Sequence, residues 1–140
     1  MARAGVYGAI LSVVMAGAAV AAPLQVVVTG VQSSKGMVLV AVCSEREFLQ
    51  PHCTYNGQAP ARPGPVVVTL EVQPGTYAVQ AFQDEDGSGE VTMSLLGLPV
   101  EPLGFSNNAT IRFSAPRFRD AAFTVGAMGG KISVELRRLF

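Results

Sequence analysis

The chain has 140 residues, with ten Lys and Arg balanced by ten Asp and Glu, one His and two Cys. That length fits one domain built on one core. The level charge, with no basic run, excludes an electrostatic footprint for nucleic acid or for anionic lipid.

The first segment predicts a leader. "MARAGVY" carries one positive charge, Arg3, and Gly8 to Val20 hold no charge and one polar side chain, Ser12. "AVA", Ala19 to Ala21, then offers the small-x-small pattern of a cleavage site. The apolar run is shorter than the roughly 20 residues that a spanning helix needs, which disfavours a retained anchor. Residues 1–21 are therefore expected to be a signal peptide cut after Ala21. Residues 22–140 then form a single domain, periplasmic or secreted and without stable membrane insertion. Loss of Arg3 leaves 10 − 1 = 9 basic residues against ten acidic ones.

Short β-branched runs follow, separated by turn residues. They are Leu24–Gly30, Met37–Cys43, Val66–Val72, Thr76–Phe82, Thr110–Ser114, Ala121–Val125 and Lys131–Arg138. "APARPGP", Ala59 to Pro65, reads as a Pro-rich loop. In the last run Ile132, Val134 and Leu136 alternate with Lys131, Ser133, Glu135 and Arg137, the period of a half-buried strand. No helical apolar stripe persists over three turns. About seven strands predict an all-β fold, an antiparallel β-sandwich of immunoglobulin-like or prealbumin-like type with one long loop insertion.

Cys43 and Cys53, both past the leader, are expected to form a disulfide in an oxidising compartment. The loop-entropy account gives that link roughly 2.5–3 kcal/mol. His52 beside Cys53 invites a metal or Cys-His reading, but one His without a placed partner supports it poorly. "LEVQPGTYAVQAF" places Tyr77 just after a Pro-Gly turn. It resembles sandwich corners in which a Tyr hydroxyl bonds back to the turn backbone; the alternative is an ordinary strand aromatic.

Between Phe82 and Thr110 lie 27 residues of little strand character. Loops of that length in a compact domain are usually functional or disordered. Val91, Met93, Leu95, Leu96, Leu98, Val100, Leu103 and Phe105 carry too much apolar surface to stay in water. The segment should fold back over the sandwich.

Its head, "DEDGSGEV", imitates a calcium loop. Asp84, Asp86 and Ser88 occupy alternate positions, Gly89 the turn, Glu90 the carbonyl position and Val91 the apolar eighth place. The twelfth position holds Leu95 in place of a bidentate Glu, which excludes an EF-hand. Calcium, the one candidate cofactor, would then sit at Asp84, Asp86, Ser88 and Glu90, with the shell closed by Glu101, Glu85, Asn107 or Asn108. The competing reading has Asp84 and Asp86 capping their own turns, with Gly87 and Gly89 at positive φ.

Four stretches together carry a family resemblance: "GMVLVAVC", "PGTYAVQAFQDEDGSGE", "LLGLPVEPLGFSNNA" and "FRDAAFTV". Spanning Leu24 to Leu136, they resemble the bacterial domain-of-unknown-function family 2141. Its members are exported proteins of about this size that often carry D-x-[DN]-G-[NS]-G after the "PGTYA" strand. Many have His where this chain has Gln83 and Asn where it has Asp86, which puts any His contribution in doubt here. The resemblance implies a prealbumin-like or immunoglobulin-like sandwich and no established activity.

Three functions compete. The first is a non-enzymatic binding or accessory module that uses residues 83–108, with Gln83, Glu101, Ser106, Asn107 and Asn108 as candidate contacts for an envelope protein or glycan. The second is a weak calcium-binding domain. The third, a hydrolase, is disfavoured: there is no G-x-S-x-G and no metal-binding His pair, and two acids in one turn lack the separation for glycoside cleavage.

Overall fold

The computed structural model describes residues 20–111 and 114–139, together with Gly8. The expected leader lies almost wholly outside the described residues. Among them run eight strands: β1 (Ala22–Thr29), β2 (Met37–Cys43), β3 (Tyr55–Pro60), β4 (Val66–Val72), β5 (Gly75–Asp84), β6 (Leu103–Phe105), β7 (Phe123–Val125) and β8 (Gly130–Glu135). A 3-10 turn at Ser106–Asn108 and a one-turn helix, α1 (Phe118–Ala121), follow β6.

The strands form two sheets, as the alternating pattern predicts. One is three-stranded in the order β4-β1-β8, and the other runs β3-β2-β5-β6, with β7 also paired to β5. β5 is long enough for two partners on one edge. β7 takes Gly75–Tyr77, and β6 takes Gln80–Phe82. Period-two alternation sends one side of each strand inward. Val26 and Val28, Val38, Val40 and Val42, Val66 and Val68, Val79, Val134 and Leu136 meet there in one core. Stiff β-branched valines suit such a pleated interior.

Three features depart from the expected strands. β3 forms over Tyr55–Pro60, where no strand is expected and whose last two residues overlap the expected Pro-rich loop, because β2 pairs with it over six residues. Thr110, Ile111 and Ser114 lie outside any strand, and the rest of that expected run lies outside the described residues. A strand outside the expected set, β6, pairs with β5 from inside the insertion. One pair is parallel: β1 runs beside β8, from Leu24 opposite Gly130 to Thr29 opposite Glu135.

The two sheets are also stitched at one edge. Leu103 N donates to Arg137 O at 3.1 Å, and Arg137 N donates to Leu103 O at 2.9 Å. Gly104 permits this approach, since a Cβ there would stand 2.1 Å from Glu135 O. Only glycine lets backbones come that close.

Tyr77 is the corner tyrosine: its hydroxyl donates to Gln73 O at 2.8 Å. Its ring packs edge-on to Tyr55, with centroids 5.8 Å apart. Outside the five-stranded sheet a second apolar cluster gathers Cys43, Phe48, Cys53, Ala78, Phe105 and Ala121. Cys43 and Cys53 are disulfide-linked with Cα atoms 5.1 Å apart, inside the usual range. Phe48 meets Phe105 and Phe118 edge-on at 5.8 Å each.

Candidate functional site

β5 ends at Asp84, and the chain turns at once. Asp84 accepts hydrogen bonds from Ser88 N at 3.1 Å and Gly89 N at 2.9 Å. Asp86 accepts from Ser88 N at 3.1 Å and from the Thr92 hydroxyl. Gly87 and Gly89 take φ of 71° and 79°, conformations that cost glycine little. The acids therefore cap their own turn, as one of the two sequence readings holds.

The same fold brings in a third acid. Glu101 accepts from Glu85 N at 2.5 Å, Asp86 N at 3.4 Å and Thr92 N at 2.8 Å. One oxygen each of Asp84, Asp86 and Glu101 lies within 4.8 Å of the others. Asp84 and Glu101 are buried, and Asp86 is exposed. The Thr92 hydroxyl, and next Ser88, hold the Asp86 carboxyl well below the usual carboxylate range. Glu85 pairs instead with Arg138 at 2.7 Å, and Arg138 also donates to Val100 O at 2.6 Å. These bonds tie the insertion to the chain that follows β8.

Above the acidic turn the insertion forms a closed finger. Val100 N donates to Thr92 O, Ser94 N to Leu98 O and Gly97 N to Ser94 O, at 2.9, 2.7 and 2.9 Å. Met93 and Pro99 form an antiparallel bridge. At its tip Leu95 is 107% exposed and Leu96 85%.

Met93, Leu98 and Pro99 also wall a groove of about 960 Å³ on the outer face of the five-stranded sheet. Its floor is Leu39, Ala41, Gln80, Phe82, Leu103 and Phe105, the side chains that alternate away from the core. Leu49, Gln50 and Pro51, inside the disulfide loop, make part of its lining. Leu49 has φ 64°, a genuine outlier for a bulky residue. Its N–H is held by Gln80 Oε1 at 3.2 Å. Residues kept in such strained backbone cluster at ligand clamps and functional sites.

Of the other candidate residues, Gln83 and Ser106 are turned inward and the rest are exposed. Gln83 is buried and donates to Ser33 Oγ at 3.0 Å and Lys35 O at 2.8 Å. Ser106 accepts from Val79 N at 2.9 Å and donates to Ala121 O at 2.5 Å. Asn107 donates to Ala122 O at 2.9 Å, while Asn108 is exposed at φ 49°. Ser88 donates its hydroxyl to Glu90 O at 2.7 Å, and the Glu90 carboxylate stands outside the three-acid group. His52 is exposed beside the disulfide. What sequence reasoning missed is the lining supplied by β2 and by Leu49. Alternation marks Leu39 and Ala41 as outward-facing, but it does not show that a finger covers them.

A family model described as "Uncharacterized protein conserved in bacteria (DUF2141)" matches residues 26–133. The chain belongs to this family. The DUF2141 match runs from within β1 to within β8 and takes in the acidic turn, the finger and the groove. Neither a curated protein nor a solved structure matches the chain. No helix among the described residues is long and apolar enough to cross a membrane.

Proposed function

We propose that this DUF2141 protein is an exported, non-enzymatic binding module that holds its ligand in the groove between the finger and the outer sheet face. The strained Leu49 at that groove carries the reading, since backbone strain persists where a site needs it. The volume of about 960 Å³ lies at the upper end of the range for ligand pockets, and the lining is mainly apolar. Use of both cysteines in a disulfide supports binding over thiol chemistry, and a disulfide suits an oxidising compartment. An envelope protein or glycan is the expected partner class. Titration with the neutral dye Nile red tests the groove. Saturable fluorescence that is lost in a folded Leu39→Lys variant is expected, and its absence from the wild type overturns the reading.

A second reading rests on the three converging carboxylates. Asp84, Asp86 and Glu101 form a weak calcium site, with Glu101 closing the shell left open at Leu95. Oxygen ligands from clustered carboxylates suit a hard cation, and extracellular modules bind it at roughly 10⁻⁴–10⁻³ M. Calorimetric titration and melting with and without chelator test it. Heat and an upward shift support the site; neither, up to several millimolar calcium, removes it.

A further inference from the structure

The finger and the groove belong to the same face of the molecule. Met93, Gly97 and Leu98 line the groove, so the exposed Leu95–Leu96 tip stands directly beside it. A ligand seated in the groove would leave those two leucines in water. Exposed apolar surface of this kind marks an interaction site.

We infer that the occupant is a second copy of this chain, with the Leu95–Leu96 tip of each copy seated in the groove of the other. A closed two-fold contact needs a self-complementary patch that carries both halves on one face, and this face carries them. The two halves match in character: leucine side chains 107% and 85% exposed at the tip face a groove lined mainly by Leu, Met, Phe, Val, Ala and Pro.

Charge agrees too. From Val91 to Val100 the finger has no charged residue, and Glu90 is the one charged side chain among the described lining residues. A neutral tip enters such a groove without stranding a buried charge. Ser94 N, Gly97 N and Val100 N already donate to backbone carbonyls of the finger and Leu98 N to the Ser94 hydroxyl, so their burial orphans no donor, whereas the N–H groups of Leu95 and Leu96 must find acceptors in the partner copy's groove. The contact uses the groove of the proposed function, and ligand and partner copy would compete for it.

Sedimentation velocity over a wide concentration range, on the chain as the cell processes it, tests this inference. A monomer–dimer equilibrium is expected, and the Leu95→Ser/Leu96→Ser variant should be monomeric at every concentration with an unchanged melting midpoint. That variant should also take up Nile red fully at concentrations where the wild type, sealed as a dimer, takes up less. A wild type that stays monomeric overturns the inference, as does a dimer that survives the double substitution. A wild-type monomer that binds phosphatidylcholine vesicles through the two leucines overturns it in favour of a membrane surface. Dye uptake by a monomeric wild type would leave the groove reading standing while this one falls; no uptake by any form, the monomeric variant included, would remove the groove reading, and the sedimentation result alone would then decide the dimer.

Discussion

The Tyr77 hydroxyl reaches back four residues to Gln73 O at 2.8 Å, across the turn that links the two sheets. β4 ends at Val72 in one sheet and β5 begins at Gly75 in the other, so this bond pins the crossing. Tyr77→Phe keeps the ring contact with Tyr55 and deletes the bond. A loss of about 0.5–1.5 kcal/mol in urea unfolding is expected, and an unchanged midpoint would show that the corner holds without it.

Glu101 is the clasp of the insertion. Its carboxylate receives three backbone N–H groups, from Glu85, Asp86 and Thr92. In Glu101→Gln one oxygen becomes an NH₂ that faces donors. A cost of about 1–3 kcal/mol follows from the unmet groups. Hydrogen exchange should quicken across residues 85–101 before it does so in β2 or β5; uniform change would count against a local clasp.

Acid should loosen the same turn. Hydrogen bonds from Thr92 and Ser88 lower the pKa of Asp86 in the folded state. A carboxyl lowered on folding contributes stability in full above its unfolded value of about 3.9, and that contribution drains as pH falls toward the folded value. Glu47 acts in the same sense, chiefly through the Thr54 hydroxyl. Melting midpoints should therefore fall below about pH 4, and Asp86→Asn should flatten that acid branch. Parallel curves for the two proteins would refute this.

Gly104 should tolerate no side chain. An added Cβ meets the Glu135 carbonyl oxygen at 2.1 Å, and that oxygen belongs to backbone that cannot swing aside. Gly104→Ala should cost at least the 1–3 kcal/mol typical of overpacking. Denaturant unfolding checks it, and a neutral result would mean that β6 and β8 separate freely.

The parts legible in the sequence are those whose fate is local. β1, β2, β4, β5 and β8 announce themselves because short runs rich in β-branched and apolar side chains, bounded by turn residues, have one way to bury a face. Tyr77 and the capped acids follow from the chemistry of turns. β3 was hidden because its Asn, Gly and Pro are turn formers, and pairing with β2 overrides that preference. β6 is three residues long, too short for any period to show. The acidic group sits between these cases. Asp84 and Asp86 declare themselves by spacing, yet Glu85, Glu101, Asn107 and Asn108 are equally plausible closers until the finger folds back and delivers Glu101.

The parallel pairing of β1 with β8 joins nearly the first described residues to nearly the last. A chain delivered amino end first, from a ribosome or through a pore, holds β1 without that neighbour until its final residues emerge. The edge of β1 that faces β8 keeps its backbone groups unpaired for the whole of that wait, and pairings of such sequence separation form slowly. Delivery must therefore finish before maturation does, and the interval before it is when this molecule is most exposed to proteases and to self-association of the wrong kind.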